Sequence, residues 1–124
     1  IKGSYELDQD YLAAITVNGI WIKEKNNEKN NIIRASKLEN ERLIDVTIYE
    51  FDSVNNFLKR IEAPTADIST LIWKLRNAKI IDKDGKTISE NINNYTYKSM
   101  YNIKKIKIQQ SNKWNWSTIT YKFR

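Results

Sequence analysis

The chain has 124 residues, 40% of them hydrophobic, with 21 Lys and Arg against 15 Asp and Glu for a formal charge of +6. That length fits one domain with one modest core. The absence of Cys and His excludes thiol and imidazole catalysis, disulfides and ordinary zinc sites.

The charge is uneven. Residues 98–124 hold seven basic residues and no acidic one, so residues 1–97 sum to −1. A basic excess favours anionic partners without choosing among nucleic acid, phospholipid and phosphorylated glycolipid. No signal peptide is legible. The start Ile1-Lys2-Gly3-Ser4 lacks Met and leads into polar sequence, the look of a fragment of a longer protein. The longest uncharged run, residues 11–22, is too short to span a bilayer.

Residues 15–24 read as a strand pair with Asn18-Gly19 as the turn, or as a bulge in a continuing strand. Ile20 and Ile22 share one face there, with Trp21 and Lys23 on the other. Residues 25–31, Lys-Asn-Asn-Glu-Lys-Asn-Asn, read as a loop. Residues 32–37 are a second strand, and residues 38–42 a charged connection with room for one helical turn. Residues 43–51 give the clearest strand. The period of two places Ile44, Val46 and Ile48 on a core face, opposite Leu43, Asp45, Thr47, Tyr49 and Phe51.

Asp52 to Asn56 reads as a turn. Residues 57–62 return as the second arm of a hairpin that Ala63-Pro64 breaks, because proline has no N–H to donate. Residues 65–68 are strand-compatible. After the turn Ser69-Thr70, Trp73 and Leu75 alternate with Lys74 and Arg76. Residues 78–81 lead into the turn Asp82-Lys83-Asp84-Gly85, and residues 87–92 form a further strand. Ile103, Ile106 and Ile108 fit one β segment imperfectly. Residues 114–123 alternate well after a turn at Ser111-Asn112-Lys113. At least seven short strands at intervals of roughly 8–12 residues predict an all-β sandwich, jellyroll or open barrel.

No catalytic or metal-binding set is legible. Asp45 and Glu50 have opposite strand parity and do not converge, and Asp52 suits local turn bonding. The run 82–86 opens like a calcium loop but lacks the later ligands and closing Glu. Phosphate-binding glycine loops and nucleophile elbows are missing. The basic, aromatic residues 95–124 fit a solvated strand face best. Nucleic-acid binding through stacking and phosphate neutralisation and an anionic lipid surface are the other readings.

The ordered set of residues 11–15, Gly19-Ile20-Trp21-Ile22-Lys23, Ile33-Arg34-Ala35, residues 43–52 and residues 72–78 resembles the periplasmic domain of the lipopolysaccharide export permeases, the LptF/LptG family. Gly19 and Trp21, then Tyr49, Phe51 and Asp52, then Trp73 carry the likeness, which is closer to the LptG branch. It covers about residues 5–81, and beyond Gly85 the sequence departs from the family pattern. The resemblance implies an open β-jellyroll, one domain over residues 1–124, in the periplasm as part of a Gram-negative inner-membrane protein. It implies no enzyme activity, no cofactor and no metal. Lipopolysaccharide is the implied cargo, with acyl chains contacting Ile20, Ile22, Ile44, Val46, Ile48 and Leu75. The implied partners are the other permease subunit, the LptB ATPase reached through a membrane portion, and LptC with the LptA and LptD jellyrolls, joined by strand-edge pairing. Nucleic acid is not among them. The alternative function is a structural or protein-interaction β-domain without lipid binding.

Overall fold

A computed structural model describes residues 11–25, 29–102 and 104–106. Ten strands lie among them: β1 (Tyr11–Thr16), β2 (Gly19–Lys25), β3 (Lys29–Ala35), β4 (Lys37–Glu39), β5 (Arg42–Asp52), β6 (Phe57–Asp67), β7 (Ile72–Arg76), β8 (Ala78–Asp82), β9 (Thr87–Ile92) and β10 (Tyr95–Lys98). All pairs are antiparallel, along the path β1-β2-β3-β5-β6-β7-β10, with β4 on β5, β8 on β6 and β9 on β8. The expected all-β, open jellyroll-like class is what the chain adopts.

Cross-strand register explains the core. One row runs Ala13–Ile22–Ile33–Ile48–Ile61–Ile80 across six strands. Its four central isoleucines are at most 1% exposed. Burying each is worth roughly 1.5–3 kcal/mol, and β-branched neighbours stack well on a pleated face.

A crease turns this sheet into a roll. Along β5, Val46, Ile48 and Glu50 face inward, yet so does Leu43; along β6, Ile61 and Ala63 face inward, and so do Ala66 and, just past the strand end, Ile68. Inward parity therefore switches on both strands at Asp45 and Pro64, which fall between the pairs Ile44–Thr65 and Val46–Ala63. Asp45 has φ 54°, and Asn77, between β7 and β8, has φ 53°. Aspartate and asparagine enter this left-handed region more readily than other non-glycine residues. Ser36 separates β3 from β4 and donates its N–H to the Ile44 carbonyl at 2.8 Å. The crease thus crosses four neighbouring runs at Ser36, Asp45, Pro64 and Asn77.

Several expectations are corrected by this geometry. Ile44 is half-buried and outside the core, while Leu43 is fully buried, because the left-handed Asp45 resets the alternation. Pro64 does not end its strand; β6 continues to Asp67. Residues 29–31 are strand, not loop, since they pair with Asp52, Phe51 and Glu50. Residues 37–39 form β4 rather than a helical turn. Residues 104–106 form one helical turn with Ile106 buried, not a β segment. Ile103, Ile108 and the alternation over residues 114–123 lie outside the described residues.

The crease supports a direct test. Glycine is at ease where Asp45 sits, whereas a β-branched residue is strained there. We expect Asp45→Gly to stay within about 0.5 kcal/mol of the parent and Asp45→Val to lose at least ~1 kcal/mol in urea unfolding. Equal stability of the two variants would show that the left-handed turn does not shape the fold.

Candidate functional site

The inner face of the roll ends in a polar row. Glu24, Asn31, Glu50 and Lys59 stand side by side on β2, β3, β5 and β6, one inward step from the isoleucines. Glu24, Asn31 and Glu50 are 4–6% exposed, so each needs polar partners. Glu50 lies 3.5 Å from the Lys29 ammonium and 3.8 Å from that of Lys59. Glu24 takes its partners from across the roll. The Tyr97 hydroxyl donates to its Oε1 at 2.7 Å, Ser99 Oγ donates to Oε2, and the Met100 N–H donates to Oε2 at 3.0 Å. Asn31 Nδ2 donates to the Tyr97 hydroxyl at 2.9 Å. Burial, then the Glu24 charge, pushes the Tyr97 phenol far above its ordinary value, and burial with Glu50 raises Tyr95. Tyr97 is therefore a proton donor to Glu24, not a phenolate.

Above this row Trp73 fills the interior. It is fully buried, tilts against the Tyr97 ring at 5.6 Å between centroids, and donates Nε1–H to the Tyr101 carbonyl at 2.6 Å. The structure brings Ile20, Ile22, Val46, Ile48 and Leu75 into the same core as Trp73.

The other singled-out residues serve elsewhere. Gly19 has φ 135° and backs onto the Ala35 carbonyl. Trp21 is on the outer face, 41% exposed, with the Arg34 guanidinium 5.4 Å from its ring centroid. Phe51 and Tyr49 are half-buried against Phe57, at 5.6 and 6.5 Å. Asp52 Oδ1 accepts the N–H groups of Asn56 and Val54 at 2.9 and 3.0 Å. Those bonds, that to Asn56 foremost, hold its carboxyl below the usual aspartate value. Asp52 is a turn residue here.

Among the described residues no group of three or more His, Cys, Asp or Glu could hold a metal, and no helix is long and apolar enough to cross a membrane. The open outer trough over the crease, lined by Arg34, Asp45, Thr47, Glu62, Pro64, Asn77 and Lys79, mixes both charge signs.

Sequence reading missed Glu24, Asn31, Tyr97 and Ser99. A signal was present: Glu24 continues the inward parity of Ile20 and Ile22, and Asn31 that of Ile33 and Ala35. A charged or amide residue at a core position calls for a buried partner. Reading residues 25–31 as a loop hid it.

Comparison with protein-family models matches residues 4–120 to the lipopolysaccharide export system permease LptF/LptG. The chain belongs to the LptF/LptG family. The match extends well past residues 5–81, so the departure expected after Gly85 is corrected: the later strands and most of the basic segment fall within the family's span. Comparison with curated proteins finds no match. LptF/LptG permease subunits are non-catalytic components of lipopolysaccharide export, inner-membrane proteins with a periplasmic domain. The all-β architecture accords with that domain.

Proposed function

We propose that the chain is one periplasmic jellyroll of a permease subunit, of the LptG type, that passes lipopolysaccharide from the inner membrane toward the periplasmic jellyroll bridge. The supporting observation is the apolar inner face: Ile20, Ile22, Val46, Ile48 and Leu75 converge on one interior that ends in the polar row. Acyl chains would lie along the isoleucines. Ile44 is left out of that wall because it lies outside the core. Its partners in this reading are the second permease subunit, the LptB ATPase and LptC with the further periplasmic jellyrolls. The ATPase supplies the energy, and this domain supplies an apolar path.

Photocrosslinkers at Ile22, Ile48 and Leu75 in the intact permease complex test the path. We expect lipopolysaccharide adducts there and none from Ile88, which is 60% exposed on β9. Absence of adducts at all three, with a membrane-embedded control position positive, would defeat the reading.

A second reading has its own support. The interior residues are at most 3% exposed, as in a solid core, which suits an interaction domain working through strand edges. It requires no interior adduct and loss of partner binding when an edge strand is blocked.

A further inference from the structure

Every neighbour junction along the path from β1 to β10 is a backbone ladder. The contact that brings β10 round to β2 and β3 is different. Among the described residues its hydrogen bonds all end on a side chain, with no ladder: the Tyr97 and Ser99 hydroxyls and the backbone N–H of Met100 on Glu24, and Asn31 on Tyr97. Glu24 has no Lys or Arg within 4 Å among the described residues, so among them these donors balance a buried carboxylate. Removing them leaves it uncompensated, which is costly.

The segment after β10 is held differently on its other side. The Ser99 N–H donates to the Leu71 carbonyl at 2.8 Å, and the Tyr101 carbonyl accepts from Trp73. Both bonds tie it to β7 and its approach. Parting β10 from β2 and β3 thus breaks side-chain bonds and spares every ladder, whereas opening the roll anywhere else along its path breaks a ladder.

We propose that this seam is a latch, with Glu24 as its keeper, through which β10 and residues 99–101 swing away with β7 to open the interior. The link to cargo rests on the lipid-path reading above: residues at most 3% exposed meet a lipid chain only when the roll opens, and this seam is the junction without a backbone ladder among the described residues. The interior polar ends then become available to a glycolipid's hydroxyl and amide groups. Asn31 Oδ1 already has no hydrogen-bond partner among the described residues.

The two sides of the segment give the test its reporters. The Met100 amide is bonded across the seam and the Ser99 amide is not. In the intact permease complex, Tyr97→Phe keeps the ring on Trp73 and removes the latch hydroxyl; Glu24→Gln keeps the volume and removes the charge. In both variants we expect the Met100 amide to exchange with solvent about ten-fold faster or more, with Ser99 unchanged. Lipopolysaccharide adducts from a crosslinker at Ile48 should rise in parallel. Acceleration of both amides together would mean general loosening and overturn the latch, as would no change at Met100. Faster Met100 exchange with no interior adduct in parent or variant upholds the latch and removes the lipid path instead.

Discussion

Trp73→Ala is expected to cost about 3–5 kcal/mol, a large share of the roughly 5–15 kcal/mol that holds a domain of this size folded. Three effects add. The indole is fully buried, so its removal leaves a cavity beside Tyr97 and Tyr101, which neighbours in a packed core close only in part. The tilted contact with Tyr97 is lost, worth about 0.5–1.5 kcal/mol beyond its area. The Tyr101 carbonyl loses its Nε1–H donor, and a lost hydrogen bond of this kind costs about 0.5–1.5 kcal/mol. Trp73→Phe separates these effects, since it fills much of the volume but cannot donate. We expect it to fall between the parent and Trp73→Ala in urea unfolding. A loss below about 1.5 kcal/mol for Trp73→Ala would mean that the interior collapses freely around the missing ring and is not rigidly packed.

That prediction draws on a residue whose inward face was legible from Trp73-Lys74-Leu75-Arg76 alone. The alternation of Ile20 with Ile22 and of Val46 with Ile48 was equally clear, because a β-strand with one buried face carries its own period. What period cannot carry is a change of face. Leu43 and Ile44 exchanged roles because Asp45 takes a left-handed turn opposite Pro64. A strand reading that treats Pro64 as an end cannot see that both strands bend together. The two residues are 19 apart in sequence, and their coincidence exists only once the β5–β6 register is set.

The polar row was obscured for a related reason. Asn30-Asn31 after Lys29 has low strand propensity, and tertiary pairing with β5 overrides it. Glu24 stood in plain view at an inward position, but its partners Tyr97 and Ser99 arrive from more than seventy positions later. Long-range partners of a buried charge follow from topology rather than from local pattern. The family likeness had the opposite character. It is legible in the sequence because it depends on the order of short strand motifs, and it fades after Gly85, where those motifs weaken although the family match runs on to residue 120.

Gly19 is the position where one added carbon should do most harm. A Cβ there would sit 2.5 Å from the Ala35 backbone oxygen, and the residue's φ of 135° is one that side chains rarely adopt. Gly85 offers the control. Its φ is 84°, and nothing lies within 4 Å of its would-be Cβ. Gly85→Ala should therefore lose only the conformational part, roughly 1–2 kcal/mol, while Gly19→Ala adds a clash that only a backbone shift relieves. We expect Gly19→Ala to exceed Gly85→Ala by at least ~1 kcal/mol in urea unfolding; equal losses would show that β2 and β3 have slack at this end. The shift has a direction that matters for the seam. Ala35 pairs with Ile20 beside the crease, and pushing β2 away from it moves the strand that carries Ile20, Ile22 and Glu24 as a unit. Gly19→Ala should then raise exchange at the Met100 amide as well, since Glu24 is displaced from its donors. Gly85→Ala, at the far turn between β8 and β9, should leave that amide unchanged.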